Sequence, residues 1–147
     1  MCRHTFPAGI YYLGDPCYAL GNHIYDTVWG AEHGFSTGKL NTPEGSFVVD
    51  DTSYGDGVYY GSDGREYPVD SGTIALIPWS MCAQFDSHDD ANRQGRVLDC
   101  AAPVMWTSND GIFRVTTGVG GNFDIEIDTA NPSDENSNSD LSSQDDM

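Results

Sequence analysis

Apolar residues along this chain recur at short range, and turn-forming residues interrupt them about every 8–12 residues, which is typical of an all-β protein. The segment 72–77 (GTIALI) is an almost continuous apolar run, so we expect a central strand buried on both faces. The pattern therefore predicts a small antiparallel barrel or sandwich. The predicted strands span residues 8–13, 45–51, 57–61, 65–70, 72–77, 96–106, 111–118 and 122–128.

The third and fourth predicted strands are joined by Asp63-Gly64, one of the strongest two-residue hairpin signals. A two-residue loop there pairs Tyr60 with Tyr67 on one face of the hairpin. Because successive side chains of a strand alternate between faces, Tyr59 then lies on the opposite face. This register predicts that Tyr59 is an exposed contact residue.

The last hairpin contains three consecutive turn-compatible residues at 119–121. A three-residue loop there pairs Phe113 with Ile127 and Val115 with Ile125, which collects apolar residues on one face. A two-residue loop would mix apolar and charged side chains, so the longer loop is preferred.

One short helix is predicted at 22–29, where apolar residues are spaced four apart. Asn22 is expected to cap it and Gly30 to end it. A helical turn is predicted at 78–83, and the polar segment 86–94 is expected to form a loop.

The chain divides by composition into a β-rich globular domain at 1–129 and an acidic tail at 130–147. The tail has too little apolar surface to offset its ordering entropy, so we expect it to be disordered. The sequence contains neither an apolar run that could span a membrane nor a signal-peptide pattern. These features predict a cytoplasmic or virion-associated protein.

The charge balance is strongly negative, with 23 acidic residues, 6 basic residues and a formal net charge of -17. Such a chain repels phosphates, so we expect it to bind neither nucleic acid nor an anionic membrane. The composition favours a protein partner or self-assembly. It also resembles that of proteins adapted to high salt, where screening removes most of the self-repulsion.

The four cysteines show no Cys-x-x-Cys spacing, which argues against a zinc or thioredoxin-like site. We expect reduced thiols that are mostly buried, and the sequence alone assigns no disulfide. The cysteines are Cys2, Cys17, Cys82 and Cys100.

Three segments are rich in small and acidic residues: GDPCY at 14–18, TSYGDGVY at 52–59 and VDSG at 69–72. In this order they resemble an uncharacterised family of small bacterial and phage proteins. The resemblance covers about residues 10–80. It implies a viral or mobile-element origin and supports the domain boundary, but the family carries no established activity.

These segments supply Asp15, Asp56 and Asp70, which converge if the ends of their strands face one another. Three convergent carboxylates predict a site for Ca²⁺ or another hard cation, or a general acid–base pair. The alternative is turn chemistry, in which each aspartate accepts hydrogen bonds from nearby backbone. Cys17 is a weaker nucleophile candidate, with His23 or His4 as its base.

The sequence therefore leaves two classes of function open. The first is a non-enzymatic accessory or protein-interaction domain, adapted to high salt and without a cofactor. The second is a small hydrolase or lyase that uses Asp15, Asp56 and Asp70, with or without a bound divalent cation.

Overall fold

The computed structural model describes residues 2–117 and 124–130. The predicted loop 119–121 lies outside the described residues, as does the predicted tail beyond residue 130. The helical segments are α1 (Pro16–Ala19), a π-helix (His23–Glu32), a 3₁₀ turn (Trp79–Met81) and α2 (His88–Ala91). The strands are β1 (Cys2–Phe6), β2 (Gly9–Gly14), β3 (Gly38–Thr42), β4 (Gly45–Asp51), β5 (Gly57–Tyr60), β6 (Glu66–Val69), β7 (Thr73–Pro78), β8 (Gly95–Cys100), β9 (Val104–Asn109), β10 (Ile112–Thr117) and β11 (Asp124–Asp128).

The strands form a smaller sheet in the order β1-β9-β10-β11, a larger sheet in the order β3-β4-β7-β2-β8, and the β5-β6 hairpin. All pairings within them are antiparallel. The all-β prediction is confirmed. Of its two alternatives, the barrel is wrong, because the strands form separate sheets that do not close.

The larger sheet is buried on both faces, which creates two cores. One face packs against the smaller sheet and the β5-β6 hairpin, through Leu13, Leu76, Trp106 and Phe113 among others. The opposite face packs against the helical segments, through Phe47, Ile77, Leu20 and Trp29 among others. Strand β7 lies in the middle of this sheet, so the prediction of a doubly buried central strand is confirmed.

The predicted register of the β5-β6 hairpin is wrong by one residue. Tyr59 pairs with Tyr67, and the turn is closed by a hydrogen bond from the Gly61 N–H to the Arg65 carbonyl. A slip of one residue exchanges the two faces of a strand. Tyr59 is therefore buried, whereas Tyr60 and Val58 are exposed. The carboxylate of Asp63 favours the longer turn because it accepts from the Arg65 N–H and the Tyr67 hydroxyl.

The last hairpin follows the prediction, with Phe113 opposite Ile127 and Val115 opposite Ile125. The predicted strand 96–106 is interrupted instead. It divides into β8 and β9, which lie in different sheets, so one apolar run serves both layers of the sandwich. Strands β1 and β3 were not predicted.

The predicted short helix is longer than expected and passes through Gly30 to end at Glu32. A Cβ at this position would lie 2.8 Å from the Phe35 ring, so glycine lets that ring pack closely against the helix. Asn22 makes no capping bond through its side chain. The predicted polar loop 86–94 contains helix α2, whose N-cap is Ser87.

No helix in the described part of the chain is long and apolar enough to cross a membrane. Cys17, Cys82 and Cys100 carry free thiols, as expected. Burial raises the pKa of Cys82 to about 12, and burial together with Asp99 raises that of Cys100 to about 11.

Candidate functional site

Asp15 is the fully buried carboxylate at the centre of the three acidic segments. One oxygen, Oδ2, accepts from the N–H groups of Asp70 (2.6 Å) and Ser71 (2.7 Å). The other, Oδ1, accepts from the Cys17 N–H (2.8 Å) and the Ser71 hydroxyl (2.7 Å). Four donors fill the roughly four lone-pair positions of a carboxylate, so the charge is buried with its hydrogen bonds complete.

The local sequence explains how Asp15 reaches this position. Gly14 ends strand β2, and Asp15 has extended backbone angles that make it the N-cap of α1. Pro16 occupies the first helical position, where its missing N–H costs nothing. The same carboxylate therefore caps the helix and holds the 69–72 segment, which is the turn chemistry considered from the sequence.

The second acidic segment docks onto the third through backbone bonds. The Thr52 N–H donates to the Gly72 carbonyl (2.9 Å), and the Thr52 hydroxyl donates to the Gly55 carbonyl (2.7 Å). Gly72 has a φ of 77°, and a Cβ there would lie 3.6 Å from the Gly55 Cα. That distance is an ordinary van der Waals contact, so it is the left-handed backbone that favours glycine at this position.

The three predicted site residues therefore lie in one region, but they differ in burial and in hydrogen bonding. Asp70 is exposed, and its carboxylate accepts from the Tyr18 hydroxyl at 2.6 Å. Asp56 is also exposed, and its Oδ1 would lie 3.9 Å from a Cβ atom added to Gly72. The predicted pairing of Tyr60 with Tyr67 would place Asp70 opposite Gly57, whereas Val69 occupies that position.

The geometry favours the turn interpretation over the cation interpretation. Among the residues that the structure describes, no group of three or more His, Cys, Asp and Glu could hold a metal ion. Asp15 has no oxygen position free of a hydrogen-bond donor. Binding of Ca²⁺ by Asp15, Asp56 and Asp70 stays a prediction that titration can test.

Cys17 is half-buried beside these carboxylates. Burial, the neighbouring Asp15 and the charges of Asp70 and Asp56 all raise the pKa of its thiol far above the ordinary value. A cysteine nucleophile needs the thiolate, which a positive neighbourhood stabilises. The environment of Cys17 is negative, so it disfavours nucleophilic catalysis.

An aromatic pocket of about 330 Å³ lies beside the Asp15 network, and it was not predicted. Tyr25 and Trp29 were recognised only as helix residues four apart, and no sequence signal linked them to Phe35. The pocket is lined by Tyr25, Trp29, Phe35, Asp51, Ser71 and Thr73.

A wider depression of about 660 Å³ lies between the end of β4 and the β9-β10 turn. Its acidic residues are Asp50, Asp51 and Asp110. The Asp50 carboxylate accepts from the Asp51 N–H and from the buried Ser108 hydroxyl. Burial and the charge of Asp50 raise the pKa of Asp51.

The outer face of the β5-β6 hairpin is the other feature that sequence reasoning misplaced. Val58 is 49% exposed and Tyr60 is 50% exposed, while the opposite face of the hairpin belongs to the core. Pro68 lies opposite Val58, and Glu66 lies opposite Tyr60. The hairpin thus presents apolar surface rimmed by an acidic residue.

Comparison with protein-family models, with curated proteins and with solved structures found no match to this chain. The resemblance in the three acidic segments stays an expectation from the sequence.

Proposed function

We propose that this chain is a non-enzymatic interaction domain that binds a basic protein through the outer face of the β5-β6 hairpin. The carrying observation is the exposure of Val58 and Tyr60 on a strand whose other side is buried. Apolar side chains grouped on an ordered surface mark interaction sites, and tyrosine is enriched in them.

The net charge of -17 supports a basic partner. Opposite charge accelerates encounter, whereas two copies of this chain would repel each other at low salt. Glu66 beside Tyr60 places a negative group at the rim of the contact surface. Self-assembly, the other partner class considered from the sequence, is therefore less favoured.

The enzymatic alternative receives no support from the geometry. Asp15 is committed to four hydrogen bonds, and Cys17 lies in a negative environment. Adaptation to high salt remains part of the proposal and is supported by composition alone. A cytoplasmic or virion-associated location also remains part of the proposal, as an expectation from the sequence. Viral or mobile-element origin is supported only by the motif resemblance.

Site-specific photo-crosslinking tests the proposal. A benzophenone amino acid at position 60 should capture a basic protein in cells that naturally make this chain. The same probe at Thr107, on the outward face of the smaller sheet, should not capture it. Excess wild-type protein should compete for capture, whereas a Val58→Ser, Tyr60→Ser double variant should not. Equal capture from both positions, or equal competition by the folded double variant, would reject the hairpin as the contact surface.

A further inference from the structure

The aromatic pocket brings three rings together around one space. Ring centroids are 5.3 Å apart for Tyr25 and Trp29, 5.0 Å for Trp29 and Phe35, and 5.6 Å for Tyr25 and Phe35. The ring planes are inclined at 82°, 79° and 57°, respectively. A cation interacts with a ring when it lies within about 6 Å of the centroid. Trp29 is only 1% exposed, so a cation in this space would contact the accessible rings of Tyr25 and Phe35, with Trp29 packed behind them.

Phe35 is held over the pocket at a conformational cost. It has a φ of 54°, which is uncommon for a residue other than glycine. Its N–H donates to the Trp29 carbonyl at 2.8 Å, and its ring packs against Gly30. The ring is nevertheless 49% exposed, whereas Trp29 is buried and lines the pocket from the core side. Backbone strain that leaves an aromatic ring accessible is a reason to look for a ligand.

The polar groups of the pocket narrow the class of ligand. The Ser71 hydroxyl donates to Asp15, and Ser71 and Thr73 share a hydrogen bond of 2.6 Å between their hydroxyls. The hydrogens of both hydroxyls are therefore already used. Asp51 supplies a carboxylate to the lining, and burial and the charge of Asp50 raise its pKa.

Aromatic rings with one carboxylate repel anions and favour cations. A primary ammonium carries three strongly hydrated N–H donors, and the ring faces of the pocket do not replace that hydration, so its desolvation is costly. A quaternary ammonium has no N–H donor and binds to ring faces directly. The volume of about 330 Å³ is at the small end of the range for ligand sites, which suits a compact group.

We propose that the pocket formed by Tyr25, Trp29 and Phe35, with Asp51 at its edge, binds a trimethylammonium group. This inference is independent of the proposed contact surface on the β5-β6 hairpin. The group can come from a free small molecule such as choline or from a trimethylated lysine side chain.

Calorimetric titration of the full chain tests the proposal with choline and with its neutral isostere, 3,3-dimethyl-1-butanol. Ionic strength is held constant with NaCl, so that screening of the acidic chain does not contribute. We expect saturable binding of choline and at least about tenfold weaker binding of the isostere. Equal binding of both compounds would overturn the proposal, since the pocket would then be merely apolar. Absence of choline binding, with trimethyl-lysine also inactive, would overturn it as well.

Two variants test the assigned residues. Phe35→Leu keeps apolar bulk but removes a ring face, and we expect it to weaken choline binding about tenfold. Asp51→Asn should weaken choline binding without changing that of the neutral isostere. Tyr54→Leu removes a ring that is 68% exposed and lies outside the pocket, so it is the matched control and should bind choline like wild type. Unchanged binding by both pocket variants would overturn the assignment.

The two sources of the group are separated by a further comparison. A peptide with trimethyl-lysine is titrated beside the same peptide with unmodified lysine. Tighter binding of the methylated peptide than of choline supports the pocket and assigns it to a protein ligand. Tighter binding of choline supports the pocket and assigns it to a small molecule.

Discussion

Replacement of Asp15 by alanine is expected to destabilise the fold by about 4–5 kcal/mol. The side chain is fully buried and accepts four hydrogen bonds, three from backbone N–H groups and one from the Ser71 hydroxyl. Each bond to a charged group contributes about 1.5–3 kcal/mol, and each donor left without an acceptor costs about 1–3 kcal/mol. Removal of the carboxylate also removes the cost of burying its charge, so the net loss is smaller than the sum.

Asp15→Asn provides a graded second measurement. Its remaining oxygen can keep the Asp70 and Ser71 N–H groups, while its NH₂ group faces Cys17 and Ser71. The Ser71 hydroxyl can rotate to accept from that NH₂ group, but the Cys17 N–H loses its acceptor. We therefore expect a cost of about 2 kcal/mol, roughly half that of Asp15→Ala.

Urea unfolding of the full chain, with the midpoint Cm and the slope m fitted together, measures the free energy of unfolding of both variants. The matched control is Asp70→Asn, which changes an exposed carboxylate with one hydrogen bond and should cost less than about 1 kcal/mol. A loss below 1 kcal/mol for Asp15→Ala would refute the assignment of Asp15 as the centre of the turn network. Stabilisation of wild type by Ca²⁺ that disappears in Asp70→Asn would restore the cation interpretation.

Three further predictions concern electrostatics. Burial opposes ionisation of Asp63, but hydrogen bonds from Tyr67 and Arg96 outweigh it and hold its pKa below the usual range. The stabilising contribution of Asp63 should be present above about pH 4 and lost as pH falls through the lowered pKa. Acid titration followed by circular dichroism should therefore show a shallower loss of stability for Asp63→Asn than for wild type. The melting temperature should rise from low to molar NaCl, because salt screens the excess of carboxylates; a flat profile would contradict the high-salt proposal. Cys82 and Cys100 should react with iodoacetamide at pH 8 at least about tenfold more slowly in the folded than in the urea-unfolded chain, because their raised pKa values keep the thiols protonated.

Sequence periodicity predicted the layers well because it reports burial directly. The unbroken apolar run of β7 indicated burial on both faces, and alternation in β10 and β11 fixed the correct register. Strand β3 (GKLNT) was missed because it has one buried apolar residue, Leu40, and is held at the sheet edge by pairing with β4. Pairing with a partner strand leaves no periodic signal in the edge strand itself.

Register failed in the β5-β6 hairpin because both faces of β5 carry aromatic or apolar side chains. Tyr59 and Tyr60 are equivalent in hydrophobicity, so alternation could not choose between them. The choice is made by Asp63, whose carboxylate accepts from Arg65, Tyr67 and, across 33 residues, Arg96. Two of these bonds are local and one is long-range, so the turn is held partly by an ion pair that the local hairpin signal does not contain.

The difference between a local sequence signal and a long-range contact also separates the three aspartates of the candidate site. Each precedes a proline or a small residue and looks alike in the sequence, but only Asp15 is buried. Its partners at Asp70 and Ser71 are 55 and 56 residues away, so its role depends on the fold that brings the 69–72 turn to the end of β2. Once that fold forms, the buried carboxylate has its full set of donors and holds the turn that presents Ser71 to the aromatic pocket. Of the acidic residues that first suggested chemistry, Asp15 therefore positions one side of the pocket, and Tyr25 and Trp29, two of the three rings in the proposed ligand site, lie in the helix that the sequence pattern predicted.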